Sequence, residues 1–382
     1  MIIICEPQCE GFEHAEVNAA LVAAMKFAFP QEQVLFLAEK AHLQLVSSQL
    51  DSKHVRIQYY EIEIPPKRLS DAKRLTAEFL LCKGVFDFAR GNHTNKILFS
   101  SITSPTLISI KILLRLFEDI EGVAVLHRIL STITKGPSLM PSKAPFWFRF
   151  WLSFGNMKRL SYLALSPYIE ERLSRQLPRI TQHVKSIDLP YFFEIEKKPQ
   201  RFERDIIRFG AFGVGSRYKS ADIFFRISRE VLSSHTRFAP KFVLVGFLDP
   251  EVSHKLKDDS VVAPSFEAPF SRENFADLAK SVDYAIFPSY YQLAVSSALM
   301  DAFSYAKPII ALKQPLFEYY FKAMGDIGYL CESYEDMKDL ILAILEEKPI
   351  QRYLTQQCNI FKGREQFSPM AVSPQFVKLW KS

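Results

Sequence analysis

Residues 281–329 read as a strand, a loop, a helix and a second strand. Tyr284-Ala285-Ile286-Phe287 is a short apolar run stopped by Pro288, the mark of a buried strand. Ser296 or Ser297 stands where a helix would be capped, and Ala298, Leu299, Ala302 and Phe303 then share one face. Lys307-Pro308 ends that helix, because proline has no amide proton and crowds the preceding turn. Ile309-Ile310-Ala311-Leu312 follows as the next strand. A strand–helix–strand unit puts its two strands parallel in one sheet, with the helix across a face. Ligands of open parallel sheets sit beyond the carboxyl ends of the strands. That places residues 289–297 and 313–318 at a binding crevice.

The same alternation runs through the rest of the chain. Strands are expected at residues 2–4, 34–37, 55–64, 96–99, 123–126, 162–165 and 184–187. Helical spacing recurs over 17–28, 41–50, 71–89, 106–117 and 168–175, with Val17, Ala20, Leu21, Ala24 and Ala28 as the first apolar face. A second series begins at Ile206-Ile207-Arg208-Phe209. It continues with a helix over 220–233 and a strand over 241–246, and ends with a helix over 334–346. Residues 188–205 mix prolines and charges without a period and read as a linker. The expected class is therefore α/β, with two Rossmann-like domains of doubly wound parallel sheet facing a cleft. The first domain spans 1–187 and the second 206–365, with 366–382 as a tail that can pack back on the first. A chain of 382 residues has room for two full cores.

Composition narrows the partners. The net charge of +6 is mild, and no Lys/Arg-rich run or RNA-binding signature is present, so no nucleic-acid partner is expected. The five cysteines are odd in number and scattered; Cys5 and Cys9 have no second pair to complete a zinc site, so reduced thiols are expected. The first residues lack a basic segment and a long apolar stretch, and read as a strand rather than a signal peptide. A cytoplasmic location without a membrane span is the expectation.

Chemistry concentrates in four places. Gly210, Gly213 and Gly215 form a permissive loop, followed by Arg217 and Lys219. Backbone N–H groups and a cation there suit a phosphate, although GAFGVG is not the dinucleotide pattern G-x-G-x-x-G. Ser296 and Ser297 start the focal helix, where hydroxyls and first-turn N–H groups either bind phosphate or simply cap. Asp301 lies one turn inside, where an acid is favoured by the helix dipole in any case. His127 ends the strand at 123–126. Glu10, Gly11, Glu13 and His14 line the first loop, and Glu10, Glu13 or His14 can take a proton from a hydroxyl.

Asp283, Pro288-Ser289, Asp301-Ala302, Lys307-Pro308-Ile309-Ile310-Ala311 and Glu318 together resemble the donor-sugar half of GT-B glycosyltransferases. The match is to the retaining family with an E-x7-E motif. The segments 163–173, 206–219 and 242–246 look like further stretches of that family, in the same order. The resemblance implies a nucleotide-diphosphate sugar bound by the second domain and an acceptor bound by the first. It implies that Lys219 meets the diphosphate, that Asp301 meets the donor ribose, that Glu318 is the final acid, and that His127 stands beside the transferred sugar. No metal or other cofactor is implied. The motif departs from the family at three positions. Asp301 replaces the second Glu, and Leu293 stands where the first is expected, with Gln292 beside it as a neutral hydrogen-bonding group. Ala211 occupies the place of an Arg for which Arg217 is the available substitute. These departures keep a second reading open: a non-catalytic GT-B scaffold in a glycan-assembly complex.

Residues 122–169 hold six Lys and Arg, no acid, and the decapeptide Pro145–Phe154, rich in Phe and Trp. Aromatic rings favour the lipid headgroup boundary and cations meet anionic lipid. Trp147, Arg149 and Trp151 are thus expected to touch the inner face of a membrane, which suits a lipid-linked acceptor. The alternative is a buried aromatic core helix.

Overall fold

A computed structural model describes residues 1–66, 69–127, 130, 133, 146–193, 205–249, 252, 259–264, 272–290 and 293–380. Strands and helices alternate at the start: β1 (Ile2–Cys5), α1 (Ala15–Ala28), β2 (Val34–Ala38), α2 (Lys40–Ser52), β3 (Gln58–Glu61), α3 (Asp71–Gly91), β4 (Lys96–Phe99), α4 (Ser104–Leu116) and β5 (Glu121–Val125). Then come α5 (Phe148–Ser153), β6 (Leu160–Ala164), α6 (Pro167–Gln176) and β7 (Val184–Ser186). These strands form one parallel sheet in the order β3-β2-β1-β4-β5-β6-β7. Every residue of β1 and β2 is buried, as helices covering both faces require. The edge strand β3 is largely exposed and correspondingly polar.

The second series runs β8 (Ile206–Phe212), a single 3-10 turn at Arg217–Lys219, α7 (Ala221–Leu232), β9 (Ala239–Val245), β10 (Val261–Val262), α8 (Arg272–Ser281) and β11 (Tyr284–Phe287). It ends with α9 (Ser297–Ser304), β12 (Ile309–Leu312), α10 (Pro315–Met324), β13 (Gly328–Cys331), α11 (Tyr334–Glu347), α12 (Ile350–Arg364) and α13 (Pro369–Val377). Its parallel sheet has the order β10-β9-β8-β11-β12-β13. Phe242, Phe209 and Tyr284 are register neighbours on three adjacent strands, with ring centroids 5.4 and 5.9 Å apart. Burying each of these rings contributes about 1.5–3 kcal/mol.

The chain divides into two compact units: Met1–Phe192 with Gln292–Val295 and Phe367–Ser382, and Phe193–Tyr291 with Ser296–Gln366. Within the first, α13 packs along α1. Gln375 Nε2 donates to Asp188 Oδ2 at 2.9 Å while its Oε1 accepts from the Asp188 N–H at 2.8 Å. Residues 194–204 lie outside the described residues.

In each sheet the strand order reverses beside the first strand of its series, between β1 and β4 and between β8 and β11. Loops leaving such a switch point splay to opposite faces and open a crevice. Both are the places to look for a site.

Candidate functional site

In the second sheet the site is built mainly from backbone. The Gly213 N–H donates to the Val245 carbonyl at 2.8 Å and the Gly215 N–H to the Phe247 carbonyl at 2.8 Å. The Asp249 N–H returns to the Gly215 carbonyl at 3.0 Å. The loops after β8 and β9 therefore run side by side beyond the sheet. Only bare backbone allows this approach: a Cβ at Gly246 would stand 2.0 Å from the Gly213 carbonyl oxygen. Gly213 itself has φ +86°, and a Cβ there would lie 2.5 Å from Lys219 Nζ and 3.4 Å from Ala298 Cβ. The Lys219 amine and the first turn of α9 thus meet over the same glycine.

Burial pushes the Lys219 amine below the usual lysine range, and the Asp301 carboxylate pulls it part of the way back. Asp301 is half-buried on α9. Ser296 occupies the N-cap of α9 and is 5% exposed, but its side chain makes no capping hydrogen bond, so of the two roles open to it simple capping is not the one seen. Ser297 is the first helical residue and is half-buried. Gln314, not singled out from sequence, is 2% exposed and donates to the Ser289 carbonyl at 2.8 Å. It ties the loop after β11 to the start of α10. The helix facing Gly213 is α9 rather than the one that next follows the glycines, since α7 begins only at Ala221.

Gly213, Lys219, Ser296, Ser297 and Asp301 are thus brought together at the β8/β11 switch point, with Gly215 pinned just behind. Arg217 is exposed, as is Glu318 in the first turn of α10. Gln292 lies outside the described residues, while Leu293 beside it is 1% exposed.

In the first sheet the site is built from side chains. The turn after β1 carries two left-handed residues, Gly11 at φ +52° and His14 at φ +53°. The Glu13 N–H donates to the Glu10 carbonyl at 3.2 Å. Phe12 at its tip is 72% exposed. The His14 and His127 rings meet with centroids 4.3 Å apart, joining the β1 and β5 loops. Two half-buried imidazoles beside two acids can hold or move a proton near a hydroxyl.

Beneath the turn lies Glu6, which sequence reading passed over. It accepts from the Gln8 and Cys9 N–H groups at 2.9 and 3.1 Å, from Ser100 Oγ at 2.8 Å, from Asn18 Nδ2 at 3.0 Å and from Ser101 Oγ. The one available signal was an acid placed directly after the apolar run of β1.

The aromatic decapeptide divides. Phe148 and Leu152 on α5 are core, at 3% and 0% exposure, whereas Phe150 and Phe154 are 45% and 56% exposed and stack at 5.1 Å. Trp147, Arg149 and Trp151 are half-buried. Lys111 on α4 clasps this helix by donating to the Trp151 and Phe154 carbonyls and to Asn156 Oδ1 at 2.7 Å. Among the described residues no helix is long and apolar enough to cross a membrane.

No protein-family model matches the chain, and no curated protein matches it. Solved structures do. Anabaena HepE in complex with UDP and glucose aligns over 99% of both chains with TM-score 0.68 and 15% identity. WaaG, a glycosyltransferase involved in lipopolysaccharide biosynthesis, aligns over 100% of both with TM-score 0.68 and 12% identity. A point mutant of S. aureus TarM in complex with UDP aligns over 100% of this chain and 99% of its own, with TM-score 0.67 and 11% identity. The chain has the GT-B glycosyltransferase fold, and its α/β class with two doubly wound Rossmann-like sheets is the one expected from sequence.

Proposed function

We propose that this protein is a glycosyltransferase that moves a sugar from a nucleotide-diphosphate donor to an acceptor hydroxyl. The observation that carries this reading is the Gly213–Lys219–Asp301 cluster against the first turn of α9. A diphosphate there would meet helix N–H groups and a desolvated ammonium, both worth more than in water. Asp301 would accept from the donor's ribose hydroxyls. The acceptor oxygen bonds to the anomeric carbon and the carbon–diphosphate bond breaks. The acceptor proton passes to the departing diphosphate if configuration is retained, or to Glu13 or His14 if it inverts. UDP is the first nucleotide to try, because HepE and TarM, of the same fold, were solved with it. A calorimetric panel of UDP, GDP, ADP and their sugars tests the reading: saturable binding of one member supports it, and no binding to a well-folded chain overturns it.

The buried Leu293 at the place of the family's first Glu favours the second reading, a scaffold that does not catalyse. Donor turnover separates the two. Turnover lost in Lys219→Ala and Asp301→Ala marks an enzyme; no turnover in the wild type, with donor affinity unmoved by either substitution, marks a scaffold.

The acceptor is proposed to be a glycan or lipid-linked sugar of cell-surface polysaccharide, reached from the inner face of the cytoplasmic membrane. Support comes from exposed apolar side chains on the packed helices α4 and α5: Ile112 and Leu116 on the first are 40% and 64% exposed, and Phe150 on the second and Phe154 at its end 45% and 56%. The half-buried Trp147 and Trp151 would share the contact with these residues, with Arg149 and Arg115 as cations. The protein should sediment with anionic liposomes at low salt, and Phe150→Ser/Phe154→Ser should release it with donor binding intact. Wild type remaining in the supernatant would sink the membrane contact.

A further inference from the structure

The turn that carries Phe12 and His14 is gripped from below by a chain of buried polar groups with no part in the transfer described above. Glu6, Asn18 and His42 are 1%, 2% and 0% exposed and come from three different segments. Asn18 Nδ2 lies 3.0 Å from Glu6 Oε2 and 2.9 Å from His42 Nε2. His42 Nδ1 lies 2.8 Å from the Gly11 carbonyl oxygen.

Hydrogen-bond logic orders these groups. An amide nitrogen has two protons and only donates, so one goes to Glu6 and the other to His42. The reversed amide would set its oxygen against the carboxylate, two acceptors face to face. His42 Nε2 therefore accepts, and its Nδ1–H donates to the Gly11 carbonyl. Glu39, the N-cap of α2, takes the other side of the same residue, accepting the Gly11 N–H at 3.3 Å. Both polar groups of Gly11 are thus held by the start of α2. Gly11 is where the chain enters its left-handed turn, and three residues later His14 meets His127.

We propose that Glu6, Asn18 and His42 are positioning residues. Through the Gly11 carbonyl they fix the turn so that Phe12 and the His14–His127 pair stand ready for the acceptor. The acceptor role itself rests on the function proposed above.

Two substitutions of His42 in the full chain test this. His42→Phe keeps a ring beside Phe36, whose centroid is 6.1 Å away, and removes both hydrogen bonds. His42→Gln retains one donor and one acceptor. Amide exchange of residues 11–15, calorimetric UDP affinity and transfer from UDP-glucose to p-nitrophenyl glycosides are measured for each. Exchange in the turn should rise about tenfold or more in the Phe variant, and transfer should fall about a hundredfold as the reacting groups lose register. UDP affinity should not move, and the Gln variant should recover most of both losses. The proposal is overturned if the turn exchanges in His42→Phe as in wild type, or if His42→Gln melts like wild type yet recovers nothing. If the wild type binds no nucleotide, the glycosyltransferase reading fails and the exchange comparison alone still decides the positioning role.

Discussion

The two units bring their loops to a switch point by opposite means. In the second, β8 and β9 run on as paired backbone, and the critical positions are glycines where a Cβ has no room. In the first, the β1 turn is held by Glu6, Asn18, His42 and Glu39, whose side chains reach it from other segments. The Gly213 and Gly215 N–H groups are engaged by the Val245 and Phe247 carbonyls, so N–H donors for an anion would have to come from elsewhere, as from the first turn of α9. A turn gripped through side chains has its base fixed from outside, while its tip, here Phe12, stands exposed.

The largest effect is expected where backbone meets backbone. Gly246→Ala must displace the Gly213 carbonyl, since its Cβ would stand 2.0 Å away. Nucleotide affinity should fall by at least about a hundredfold, and thermal or urea unfolding should show a loss of about 1–3 kcal/mol. Near-normal affinity would show that the paired loops do not form the donor site.

Lys219→Ala comes next, keeping the backbone and removing the cation. Transfer should drop about a hundred- to a thousandfold. The pH dependence sharpens the point. Burial holds the Lys219 amine below the usual lysine range, so the ammonium is present at lower pH and lost as pH rises through that lowered value. Wild-type nucleotide affinity should therefore fall with rising pH earlier than for an ordinary lysine, and Lys219→Arg should flatten the fall. An unchanged pH profile in Lys219→Arg would remove Lys219 from the diphosphate.

The smallest effect concerns the other side-chain device of the first unit, the Lys111 clasp on α5. Lys111→Met leaves its acceptors unpaired and should cost about 1–3 kcal/mol. Burial, with Arg115 adding to it, pushes the Lys111 amine down to about 7 from an ordinary 10.5. Between those values the unfolded chain binds the extra proton, so wild-type stability gains as pH rises from about 7. The gain over Lys111→Met should widen across that window and be constant below it; urea titrations at stepped pH would show it. A pH-independent difference would mean that the clasp does not titrate there.

What was legible in sequence follows the same division. The stretch from Tyr284 to Leu312 showed its strands to the residue, because apolar tetrapeptides bounded by proline have one reading. Gly213 and Gly215 stood out because glycine announces backbone that must come close. β10 has only two residues, and in β13 Gly328 stands within the apolar run over 327–331, so neither announced itself as a strand. Glu6, Asn18 and His42 are scattered over three segments without a spacing, and Asn18 sits among the buried residues of α1 as though it were an error in the pattern. Gln314 looked like any polar residue after a strand. Pairing across the fold gives these residues their role, and no local pattern encodes it. The missing cap bond at Ser296 was likewise not legible, since serine is a preferred N-cap residue.

On the proposed function, a nucleotide diphosphate would lie on the paired loops and the first turn of α9. Amide hydrogen exchange with and without UDP tests it most directly. Exchange should slow at residues 213–216, 246–247 and 296–299 as UDP saturates. Saturable UDP binding with those amides unchanged and protection elsewhere would contradict it.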